Sequence, residues 1–169
     1  MANRKVIYEA CFEDYLRTAG VPYVAVDEAK KALFAGVRLK SFDFVVYSAN
    51  GANLLVDVKG RRFPYERAGS RRRLENWTTR EDLESLAQWE EVFGSGFAGL
   101  LAFCYHLMRP EAAEAFEVVH LFRGEYYALM GVYRGAYADA ARPRSRAWDT
   151  VSVPTRTFRE LVRPIRAFF

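Results

Sequence analysis

Three ionisable residues stand where apolar ones are expected. Asp43 precedes the run Phe44-Val45-Val46-Tyr47, and Asp57 and Lys59 interrupt the end of Leu54-Leu55-Val56-Asp57-Val58-Lys59. Both runs read as buried strands, where a charge is costly unless it is paired or binds a metal. Asp57 and Lys59 share a face by the two-residue period of a strand. Asn50-Gly51 between the runs is a hairpin signal, and the register decides the chemistry. A two-residue loop, Asn50-Gly51, pairs Ala49 with Ala52, sets Asp43 against Val58 and puts the two aspartates on opposite faces. A three-residue loop, Ala49-Asn50-Gly51, pairs Ser48 with Ala52 and places Gly51 at the left-handed position. Asp43 then faces Asp57, and Ser41 faces Lys59. Facing carboxylates repel. That register therefore needs a cation, and a hard divalent ion, Mg²⁺ or Mn²⁺, suits oxygen ligands best.

The flanking elements must hold this hairpin in place. Val6, Ile7, Ala10, Phe12, Leu16 and Ala19 recur near the helical period, which predicts a helix over 4–19 with Asn3 as cap and Gly20 as stop. Glu9 and Glu13 project from one side of it. Tyr23 to Val26 reads as a strand, and Ala32 to Phe34 as a strand or half a turn. Gly60 to Trp77 reads as a long loop. Thr78 and Thr79 each begin a capping box, opening a helix that Gly94 ends after Phe93. Ala98 to Tyr105 reads as a buried central strand. Phe116–Phe122 and Glu125–Tyr133 form a hairpin around Arg123-Gly124. Residues 136–147 read as a surface loop, Trp148–Val153 as an edge strand, and Thr157–Glu160 as the start of a short helix. The apolar Ile165, Ala167, Phe168 and Phe169 are expected to dock on the core or on a second subunit.

With 169 residues, 51% of them hydrophobic, the chain suits one domain over 1–169 with a substantial core. No apolar run is long enough for a membrane span. The start of the chain is amphipathic rather than signal-like, so a cytoplasmic protein is expected. Cys11 and Cys104 lack zinc spacing and read as buried thiols. Charge is segregated along the chain. Residues 61–80 carry seven Arg against two acids, residues 81–133 carry nine acids against two Arg, and residues 134–169 carry eight Arg against three acids. Arg suits phosphate because its planar fork gives paired hydrogen bonds. Arg61, Arg62, Arg67, Arg71, Arg72 and Arg73, interleaved with Phe63, Tyr65 and Trp77, read as a nucleic-acid-binding segment.

Asp43, Asp57 and Lys59 together resemble the PD-(D/E)xK nuclease signature, with Asp57-Val58-Lys59 as its second half. Phe42 stands where the signature has Pro. Glu9 is similar to the acidic residue on the first helix of archaeal Holliday-junction-resolvase-like members. The order of elements over 4–106 is also similar. The resemblance implies an α/β restriction-endonuclease-like core: a helix, a three-stranded mixed sheet with an antiparallel start, a helix and a strand. A C-terminal β-hairpin and short helix would follow. It implies a metal-dependent (endo)deoxyribonuclease of repair or recombination. Asp43, Asp57, the Val58 carbonyl and Glu9 would hold Mg²⁺ or Mn²⁺. Lys59 would position water or stabilise charge on the phosphate. The partner would be DNA, and a homodimer is in keeping with the family. Ile7-Tyr8-Glu9-Ala10-Cys11-Phe12-Glu13 also resembles the signature of the bacterial HYExAFE family, with Ile7 in place of its His and Cys11 in place of its Ala. Two alternatives stay open: a non-catalytic nucleic-acid-binding protein on the same fold, and a structural or assembly protein whose Arg segments bind acidic partners.

Overall fold

The computed structural model describes residues 4–27, 32–34, 37–64 and 73–169. Helix α1 (Arg4–Ala19) ends where Gly20 turns to φ +68°. There Gly20 N–H donates to Arg17 O and Val21 N–H to Leu16 O, which satisfies the last helical carbonyls. Its expected cap, Asn3, lies outside the described residues. Strand β1 (Tyr23–Ala25), the hairpin of β2 (Ala32–Phe34) and β3 (Val37–Leu39), β4 (Phe44–Val46) and β5 (Asn53–Phe63) follow. Next come β6 (Thr78–Thr79), α2 (Arg80–Phe93), β7 (Phe97–Leu107), β8 (Val119–Phe122) and β9 (Glu125–Tyr133). The chain closes with α3 (Arg134–Ala140), β10 (Arg142–Ser145), β11 (Thr150–Ser152), α4 (Thr155–Leu161) and β12 (Arg163–Pro164).

The main sheet runs β1-β4-β5-β7-β9-β12, with β8 also on β9. β5 and β7 pair in parallel along their whole lengths, joined by the α2 crossover, and the other pairs are antiparallel. Alternation along β5 divides the core. Leu54, Val56 and Val58 pack with Cys11, Phe12 and Leu16 of α1. Leu55 and Phe63 pack on the other face with Leu83 and Leu86 of α2, Tyr137 of α3 and Phe158 of α4. Asp57, Lys59 and Arg61 follow the parity of Leu55 and Phe63, so they belong to the α2 face. Ile165 and Phe168 are buried beside Gly131, which places the C-terminal segment on this chain's own sheet.

Several sequence expectations need correction. β5 continues through Arg61, Arg62 and Phe63, where a loop was expected from Gly60, because β7 pairs with it as far as Leu107. Residues 136–147 are not a loop. Ala136, Ala138 and Ala140 favour helix, and buried Tyr137 anchors α3 by donating to Asn76 O at 2.6 Å. β11 is the middle of a three-stranded sheet, β10-β11-β6, rather than an edge. α4 starts at Thr155, behind Pro154, so Thr157 lies inside it and caps nothing.

Gly60 makes room for the site. A Cβ there would fall 1.9 Å from Cδ2 of Tyr8, so α1 and β5 approach only because that atom is missing. Gly60→Ala should cost roughly 1–3 kcal/mol through overpacking. Adding Tyr8→Ala should recover part of the loss in a double-mutant cycle measured by urea unfolding.

Candidate functional site

β4 and β5 pair Phe44 with Val56, Val45 with Leu55 and Val46 with Leu54. This is the register of the three-residue loop. The turn itself is wider: Tyr47 N–H donates to Pro22 O and Ser48 N–H to the Asn53 side chain, so the ladder stops at Val46. At the other end, Asp43 N–H donates to Val56 O at 2.9 Å, although Val56 is already the partner of Phe44. Two residues of one strand thus face one of the other, as in a β-bulge, which re-aims side chains and ends pairing. Asp43 does not stand squarely opposite Asp57, nor Ser41 opposite Lys59. Instead the buried Asp43 carboxylate accepts the Val58 N–H at 2.7 Å. A strand residue turns its N–H and C=O to the same side. The Val58 carbonyl therefore faces the gap that β4 leaves.

On the α2 face, Lys59 Nζ lies 2.9 Å from Asp57 Oδ2 and 2.6 Å from Asp82 Oδ2. Asp82 also binds Lys40 and accepts from Thr78 Oγ1. Asp82 is the third residue of α2, where Thr79 Oγ1 caps its N–H. The Thr79–Asp82 box was legible in the sequence, but the diversion of its acid to Lys59 was not. Burial works against both charges. Asp57 and Asp82 outweigh it and hold the Lys59 pKa above its ordinary value. For Asp82, Lys59 and Lys40 outweigh burial and hold the carboxyl well below the usual range.

These groups border a cleft of about 320 Å³ lined by Tyr8, Ser41, Asp57, Lys59, Arg61 and Trp77, among others. Arg61 is not a free phosphate ligand. Its guanidinium lies 3.9 Å from the Trp77 ring centroid and donates to the carbonyls of Gly60 and Trp77. Burial lowers its pKa. Arg62 and Arg73 are exposed, and Arg67, Arg71 and Arg72 lie outside the described residues. Glu9 sits on α1, which covers the opposite face from Asp57. Its neighbour Tyr8 lines the cleft.

Neither a protein-family model nor a curated protein sequence matches the chain. Among solved structures it is similar to Hjc, a Holliday junction resolvase from the archaeal hyperthermophile Archaeoglobus fulgidus. The TM-score is 0.51 at 13% sequence identity, covering 91% of each chain. The fold is resolvase-like. It is the expected restriction-endonuclease-like α/β architecture. No helix among the described residues is long and apolar enough to cross a membrane.

Asp82→Asn should cost about 3 kcal/mol at pH 7, the lower end for breaking a buried ion pair. Because the folded pKa lies below the ordinary 3.8, the contribution of Asp82 is complete above that value. It is withdrawn as pH falls towards the folded pKa. Thermal melts of the two proteins should differ most at neutral pH and converge in acid.

Proposed function

We propose that this protein is a metal-dependent nuclease hydrolysing phosphodiester bonds in DNA, acting in recombination or repair. The observation that carries this reading is the meeting, on a resolvase-like fold, of Asp57 and Lys59 in one cleft with a bulged Asp43 behind them. Asp43, Asp57 and the Val58 carbonyl are hard oxygen donors. Among the described residues no three His, Cys, Asp or Glu side chains form a ready-made metal cage. Mg²⁺ ordinarily takes one or two carboxylates and keeps water and substrate phosphate, so a two-carboxylate site suits it or Mn²⁺. Bound there, the ion would polarise a phosphate and acidify a water.

The chain's own residues supply the rest. Lys59 holds a fixed positive charge at the cleft, preorganised for negative charge growing on the phosphate. Asp82 keeps that ammonium protonated and aimed. Asp57 shares its carboxylate between Lys59 and the proposed ion, so loading must loosen the Asp57–Lys59 pair. Glu9 is proposed as an accessory acid approaching from α1, and Arg62 and Arg73 as contacts to the nucleic-acid backbone. Cleavage by a homodimer and membership of the HYExAFE family belong to the same proposal.

The clasp of Lys59 by two aspartates also supports a second reading, a structural ion network in a non-catalytic nucleic-acid-binding or assembly protein. Cleavage of branched and linear DNA with Mg²⁺ or Mn²⁺ separates the two. Asp57→Ala and Lys59→Ala should each lower cleavage at least about 100-fold while DNA binding persists. Binding without metal-dependent cleavage in the wild type would favour the second reading.

A further inference from the structure

The turn between β10 and β11 has no part in the site above, yet it is built as a display. Trp148 is 78% exposed, the most exposed large apolar side chain among the described residues. Beside it Asp149 holds φ +46°, a left-handed conformation that costs a non-glycine residue free energy. The surroundings impose that conformation. Asp149 N–H donates to Arg146 O, Arg80 N–H donates to Asp149 O, and Arg80 Nε binds Asp149 Oδ1 at 3.0 Å. The turn is therefore tied to the first residue of α2, whose third residue grips Lys59. β10 pairs Pro143 with Val151 and Ser145 with Thr150, which leaves Arg144 as a bulged residue. A bulge re-aims its side chain, and the Arg144 guanidinium lies 5.3 Å from the centroid of Trp77, on the wall of the cleft. Arg142, Arg144 and Arg146 are all exposed.

We infer that this turn is a docking surface for an unpaired nucleic-acid strand leaving the cleft, with Arg142, Arg144 and Arg146 on phosphates and Trp148 stacked on a splayed base. The inference rests on the nuclease reading and narrows its substrate to nucleic acid with single-stranded or branched character. Positive charge alone serves any polyanion. An indole presented on this tethered turn adds stacking, which only an unstacked base can use. In an intact duplex the bases are occupied by their neighbours, so Trp148 contributes little there.

The test is fluorescence anisotropy with a labelled single-stranded oligonucleotide and a blunt duplex of equal length, in EDTA, over a salt series. Trp148→Ala should weaken single-strand binding about 5- to 150-fold. It should leave the salt slope unchanged and affect the duplex far less. Trp148→Phe should restore most of the loss. Arg142→Ala, Arg144→Ala and Arg146→Ala combined should reduce the slope of log K against log salt by about 2, at roughly 0.7 per phosphate contact. The corresponding Lys substitutions should preserve the slope. Wild-type affinity in Trp148→Ala, or equal loss on both oligonucleotides, would overturn the stacking assignment. An unchanged slope would overturn the Arg track. In either case the nuclease reading would stand. A wild-type protein that binds neither oligonucleotide at low salt would overturn both.

Discussion

An ammonium group on a central strand must be neutralised where it stands, and the rest of the site follows from how that is done for Lys59. Its side chain is only 13% exposed, so water cannot solvate the charge adequately. Asp57 shares its face and Asp82 arrives from the first turn of α2, giving one lysine two carboxylates. Lys40 then offsets the surplus on Asp82. The crossover from β5 through α2 to β7 is thus fastened at the lysine as well as by packing. The parallel pairing of β5 with β7 sets the α2 N-terminus where Asp82 can reach across.

The bulge at Asp43 is the second constraint. Continuing the ladder by one more pair would have set two carboxylates against each other, which is unfavourable. The bulge instead turns Asp43 onto the Val58 N–H and leaves the Val58 carbonyl facing the same gap. The interrupted ladder end thereby becomes a concentration of oxygen donors beside a fixed cation. The likeness to Hjc, at 13% identity, speaks to the fold alone. The chemistry rests on these residues.

Much of this was legible in the sequence where one local signal dominated. The apolar period and Gly20 marked α1, and the runs around Asn50-Gly51 left two registers, of which β4 and β5 adopt the one for a three-residue loop. The Thr79 cap marked the start of α2. What was not legible depends on contacts distant along the chain. The Asp43 bulge has no signature in Ser41-Phe42-Asp43. Asp82 looked like one acid among several in an acidic helix, and only the crossover brings it to Lys59. The extension of β5 through Arg61 and Arg62 depends on β7, since consecutive arginines suggest a solvated loop by themselves. α3 was obscured by Gly135 and by the arginines that follow it. Asp43 facing Asp57 belonged to one of the two registers; that register is adopted, but the local slip at Asp43 keeps the two from standing squarely opposite.

The gap beside the Asp43 bulge is the proposed seat of a hard divalent cation. Crystals soaked in Mn²⁺ and measured near the manganese absorption edge test it directly. The expected result is an anomalous peak shared by Asp43, Asp57 and the Val58 carbonyl, with the Asp57–Lys59 contact lengthened. No peak there under conditions that support nucleic-acid binding, with Asp57 still closed on Lys59, would contradict it.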